Sequence, residues 1–147
     1  MTTLNFSVTI NAPKEVVWDK LWSDASYRQW TAVFSPGSFA ETDWKEGSSI
    51  KFLSPSGDGM YSLIEKNTPY EEMTFKHLGE IHKGVEETKD WAGARESYRL
   101  KETNGITELS VQVDSTEDFK EYFEKTFPQA LQVVKQISEQ HQEVKAG

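Results

Sequence analysis

Leu4, Phe6, Val8 and Ile10 alternate with Asn5, Ser7 and Thr9, the period of two expected of a strand that buries one face. Asn11-Ala12-Pro13-Lys14-Glu15 then predicts a helix start. Pro13 suits the first helical position, where its missing N–H costs nothing, and Asn11 or Ala12 would cap it. Val17, Trp18, Leu21 and Trp22 form an apolar stripe at helical spacing. That helix should stop near Ser23-Asp24, whose side chains can cap a second short helix over Ala25–Trp30.

From Ser35 to Val113 the pattern changes to strands separated by turn signals: Ser35-Pro36-Gly37, Lys45-Glu46-Gly47, Ser54–Gly59, Asn67-Thr68-Pro69 and Asn104-Gly105. Asn104-Gly105 is the most informative, because both residues tolerate positive φ and suit a two-residue hairpin turn. It sets Leu100 opposite Leu109, Tyr98 opposite Val111 and Lys101 opposite Glu108, so apolar meets apolar and acid meets base. The last segment is helical. Phe119, Phe123, Phe127, Ala130, Leu131, Val134 and Ile137 recur at steps of three and four, with Glu, Lys and Gln on the other face. Ser115 or Thr116 can cap this helix, Glu117 and Asp118 suit its first turn, and Pro128 should bend or split it. Beyond about Gln140, over residues 141–147, the tail is expected to fray.

The predicted order is one strand, two short helices, about six antiparallel strands and one long amphipathic helix. This is an α+β arrangement in which a bent sheet and a long helix bury their apolar faces against each other. The first strand would join at an edge beside a late strand, and such a sheet leaves room for a cavity.

Composition narrows the function. The 147 residues fit a single domain over 1–147, large enough to bury a core without disulfide support. With no Cys there is no disulfide, thiolate metal site or thiol nucleophile, and no metal or cofactor is expected. The net charge of −8 argues against a nucleic-acid partner. No run approaches the roughly 20 apolar residues of a membrane helix, so stable membrane insertion is not expected. The first residues lack the basic and apolar blocks of a secretory signal, giving a cytoplasmic expectation.

Ile10-Asn11-Ala12-Pro13-Lys14-Glu15-Val16-Val17-Trp18, followed by Tyr27-Arg28-Gln29-Trp30, resembles the opening of the START-like, or SRPBCC, superfamily. Gly59-Met60-Tyr61 through Pro69-Tyr70-Glu71, Lys76-His77-Leu78-Gly79 and Trp91–Tyr98 resemble small bacterial members of the branch named for the heat-shock protein 90 ATPase activator. The resemblance covers nearly the whole chain. It implies the helix-grip fold, a curved antiparallel sheet wrapped around a long C-terminal helix. It also implies binding of lipids, sterols, polyketides or hormones, or cyclase chemistry, and by the branch name a chaperone contact.

Candidate chemistry lies on two strands. Met73, Phe75, His77, Gly79 and Ile81 share one face of the first, and Ala94, Glu96, Tyr98 and Leu100 share one face of the second. A symmetric connection would place His77 opposite Glu96, both pointing inward. A carboxylate there needs a partner. The pair is either a polar handle in an apolar pocket, an acid–base pair, or a structural contact closing the core. Trp18, Trp30, Phe34, Phe52, Phe75, Tyr98 and Phe123 supply the bulky apolar surface that a hydrophobic-ligand pocket requires. The expectation is a binder of a small hydrophobic or amphipathic molecule held between sheet and helix by these residues with His77 and Glu96. The alternatives are a cyclase or hydrolase using the His/Glu pair, and a chaperone-interaction module. A monomer or weak homodimer is expected.

Overall fold

The computed structural model describes the backbone of residues 1–146 and the side chains of residues 1–140. The fraying expected over 141–147 falls outside these fully described residues. The elements are β1 (Thr2–Ile10), α1 (Lys14–Trp22), α2 (Asp24–Thr31), β2 (Phe39–Glu41), β3 (Ser49–Leu53), β4 (Gly59–Thr68), β5 (Glu72–His82), β6 (Val85–Thr88), β7 (Arg95–Thr103), β8 (Ile106–Ser115) and α3 (Glu117–Ala146). The strands form one antiparallel sheet ordered β1-β8-β7-β5-β4-β3-β2, with β6 paired to β5. The α+β helix-grip arrangement is the observed one, with β1 at an edge beside β8 and α3 packed along the inner face. Asn104 and Gly105 both have positive φ, at 54° and 80°. Their turn gives the expected pairs Leu100–Leu109, Tyr98–Val111 and Lys101–Glu108.

Three local expectations are corrected. The chain after Glu80 adds a strand to the expected six or so. β5 continues to His82, and Lys83-Gly84 turns with positive φ at both residues into the exposed strand β6. This makes seven strands after the helices. The β5–β7 connection is therefore asymmetric, and Phe75, not His77, lies opposite Glu96. His77 pairs further along: its N–H donates to the Ala94 carbonyl, and Gly93 donates to the His77 carbonyl. Finally, Pro128 does not split α3, which runs as one helix.

A bulge in β5 changes which side chains face inward. Gly79 pairs with Tyr61 and His77 with Ser62, so Leu78 is extra, and the alternation reverses there. Glu80 reaches the inner side instead of Gly79 and Ile81. Gly79 sits where β6 closes in; a Cβ there would lie 2.1 Å from the Glu87 carbonyl oxygen, so no side chain fits.

The inner face has two unlike ends. At one, Ile10, Ile64, Leu100 and Leu109 meet Val17 and Leu21 of α1 and Leu131 and Val134 of α3, all buried in one cluster. At the other end, α3 is only beginning and α1 reaches only with its last residue, Trp22. The space there is not filled.

Candidate functional site

The unfilled end is a cavity of about 400 Å³. Its walls come from the N-terminal parts of β4 and β7, the C-terminal parts of β3, β5 and β8, and the first turns of α3. These are the same end of every antiparallel strand, so the mouth lies at one edge of the fold. The roof is an aromatic row on α3. Phe127 is buried, Phe123 is half-buried and Phe119 is 51% exposed, grading from core to solvent along one stripe. The Tyr122 hydroxyl donates to the Phe34 carbonyl at 2.9 Å, fastening α3 to the segment after α2.

Of the residues singled out in the sequence, Trp30, Phe34, Phe52, Phe75, Tyr98 and Phe123 line the cavity, as do His77 and Glu96. Trp18 does not. It packs edge-on to Tyr70 at 6.3 Å and to Trp22 at 6.1 Å, outside the cavity wall. Sequence reasoning missed Trp22, Tyr27 and Phe127 as lining residues. Trp22 and Phe127 had been seen as helical stripes and read as core. Tyr27 lies three residues before Trp30, hence on the same helical face, which was the available signal.

A chain of polar groups crosses the wall. The Glu96 carboxylate can only accept, so its Oε1 takes the His77 Nε2 proton at 3.0 Å. The remaining His77 nitrogen, Nδ1, then accepts from the Ser62 hydroxyl at 2.7 Å. The Tyr98 hydroxyl donates to the other Glu96 oxygen in a short bond. Burial, and after it the Glu96 charge, raises the pKa of both Tyr98 and Tyr27 well above the ordinary phenol value. Both hydroxyls therefore stay protonated as donors. Tyr27 is 6% exposed and lines the cavity, yet its hydroxyl has no hydrogen-bond partner among the described residues.

The order of this chain decides what it can do. Ser62, His77 and Glu96 are connected as in a nucleophile–base–carboxylate relay, but the positions are reversed relative to the space. Ser62 is 1% exposed and lies outside the cavity wall, whereas the Glu96 side chain keeps 19% of its surface open. The hydroxyl holds the imidazole, the imidazole holds the carboxylate, and the carboxylate faces the cavity. Among the described residues, no group of three or more His, Asp or Glu is placed to hold a metal ion. No helix among them is long and apolar enough to cross a membrane.

A family-level comparison matches residues 11–139 to the family described as Activator of Hsp90 ATPase homolog 1-like protein. The chain belongs to this family. The match runs from the turn before α1 through most of α3, so it takes in nearly every cavity wall. No curated protein matches the chain. Among solved structures, the fold resembles the Aha1 dimer from Colwellia psychrerythraea at 21% identity, with 92% of this chain and 94% of that one covered and a TM-score of 0.71. It also resembles protein MLL2253 from Mesorhizobium loti at 13% identity, with 95% and 98% covered and a TM-score of 0.72. CalU16 from Micromonospora echinospora is similar at 17% identity, with 92% and 73% covered and a TM-score of 0.67. At these identities the likeness establishes the helix-grip fold shared by the family and its SRPBCC superfamily.

Proposed function

We propose that this family member binds a small hydrophobic or amphipathic molecule, of lipid, polyketide-like or aromatic class, in the cavity between the sheet and α3. The observation that carries the reading is the cavity itself. Its volume of about 400 Å³ falls within the range of small-molecule sites, and its wall is largely aromatic with one polar cluster. Trp30, Phe34, Phe52, Phe75, Tyr98 and Phe123 provide the apolar contact, and His77 and Glu96 orient the polar end. The chain acts as one ligand-binding unit.

Native mass spectrometry tests this. The purified protein, mixed with lipids and with aromatic polyketides, should retain one molecule of at least one class. Ala94→Phe, which projects a ring into the cavity from its wall, should abolish the adduct while the protein stays folded. Absence of any adduct from all classes would end the reading.

A catalytic role is the second reading, favoured by the 3.0 Å His77–Glu96 contact at the cavity wall. Here Glu96 would move a proton in a cyclase-type step, with His77 positioning it. Product formation lost in Glu96→Gln with binding retained would support it. A chaperone contact rests on the family description alone.

A further inference from the structure

The charges around the cavity are of one sign, which bears on what kind of polar end the ligand carries. Asp58, Glu80 and Glu96 line it, and no Lys or Arg does among the described residues; Asp114 borders it but turns its carboxylate to the outer face, where it accepts from the Thr3 hydroxyl and the Arg95 N–H. Met1 reaches the rim too, but it is largely in solvent, where salt screens its amino group. His77 adds at most one positive charge, so the lining stays negative in either of its protonation states. A concave apolar wall concentrates such a field.

Several groups that line the cavity have hydrogen-bonding capacity left over. The Glu96 carboxylate has about four acceptor positions and uses two, on His77 and Tyr98. The Tyr27 hydroxyl, which feels that carboxylate's charge, makes no hydrogen bond among the described residues, and the buried Trp22 Nε1 and Thr116 Oγ1 likewise have no partner. Around them stand the rings of Trp22, Trp30 and Phe75, with Trp22 5.0 Å from Tyr98 and 5.5 Å from Phe75 between centroids. A carboxylate, a free hydroxyl oxygen and aromatic faces together favour an ammonium, which donates to the first two and lies against the third. A carboxylate or phosphate end would meet Glu96 with no cation to offset it.

We infer that the ligand is a cationic amphiphile, an alkyl or aromatic body ending in an amine that sits against Glu96 and the Tyr27 hydroxyl. This rests on the binding function proposed above and names its chemical class.

Isothermal titration at pH 7 with n-decylamine, n-decanol and n-decanoate keeps the apolar body constant and varies only the end group. Decylamine should bind at least about tenfold more tightly than decanoate, with decanol between them. Glu96→Gln keeps an acceptor but removes the charge, and should shrink the amine-over-alcohol preference about tenfold. Should that variant fail to fold, the rim variant Asp58→Asn/Glu80→Gln should reduce the same preference about two- to threefold. Equal or tighter binding of decanoate overturns the inference, as does an unchanged preference in a folded variant. Binding of decanol and decanoate without preference for the amine overturns the cationic end alone. Failure of all three ligands overturns the inference, and the adducts in the native mass spectrometry above tell that outcome from failure of the binding function.

Discussion

The two ends of the sheet are built from the same strands and buried by the same helix, yet one is solid and the other hollow. At the solid end, aliphatic residues of β1, β7 and β8 interlock with α1 and α3. At the hollow end the inward residues are largely aromatic or polar, α1 contributes only its terminal Trp22, and α3 contributes a widening row of Phe. Rigid rings that touch edge-on, as Trp22 does with Phe75 and Tyr98, can hold a wall apart without filling the space behind it. Packing is therefore densest at one end, and the proposed ligand site lies at the other.

The largest expected effect tests that division. Leu109→Ala, at a fully buried position of the solid end, should lower unfolding free energy by about 3 kcal/mol. Phe34→Ala, at the half-buried cavity wall, should lower it by about 1 kcal/mol, because its removal enlarges a space that already exists. Urea unfolding monitored by circular dichroism measures both. Equal losses would erase the distinction between the ends.

An alkaline titration sharpens it. Burial and then Glu96 raise the Tyr27 and Tyr98 pKa, so above about pH 10 the unfolded chain releases two protons that the folded chain keeps. Their contribution is fully present below pH 10 and is lost as pH rises. The loss should be about 1.4 kcal/mol per pH unit for each tyrosine, and Tyr27→Phe should remove one share. A slope unchanged in Tyr27→Phe would mean that the Tyr27 hydroxyl is as well hydrated as in the unfolded chain.

The smallest effect belongs to neither end. On the outer face, Arg95 hydrogen-bonds Glu65 at 2.7 Å and holds its pKa below the ordinary carboxyl value. Both side chains are substantially exposed. Glu65→Gln should cost no more than about 0.5 kcal/mol, and less still in high salt.

The architecture was legible because several local rules agreed. The alternation in Leu4–Ile10, the Asn104-Gly105 turn and the C-terminal stripe each specify one element, and the hairpin also fixed a register. The site was legible in composition more than in geometry. His77 and Glu96 were expected face to face. They meet on a diagonal, because β6 makes the connection between β5 and β7 asymmetric. The bulge at Leu78 left no mark in the alternating pattern, so Glu80 was assigned to the wrong side. Trp18 and Trp22 share a helical stripe, and periodicity cannot separate the one that reaches the cavity from the one that packs against Tyr70. Whether an inward aromatic fills a core or lines a space depends on what the facing helix brings, which is a property of the assembled fold.

The five tryptophans turn that point into a direct test. Trp22, Trp30 and Trp91 line the cavity, whereas Trp18 and Trp44 do not. In a nitrogen–proton correlation spectrum titrated with n-decanol, the indole signals of Trp22, Trp30 and Trp91 should shift saturably, while those of Trp18 and Trp44 hold nearly still. Shifts centred on Trp18, or no saturable shift in any indole, would contradict a ligand site at the hollow end of the sheet.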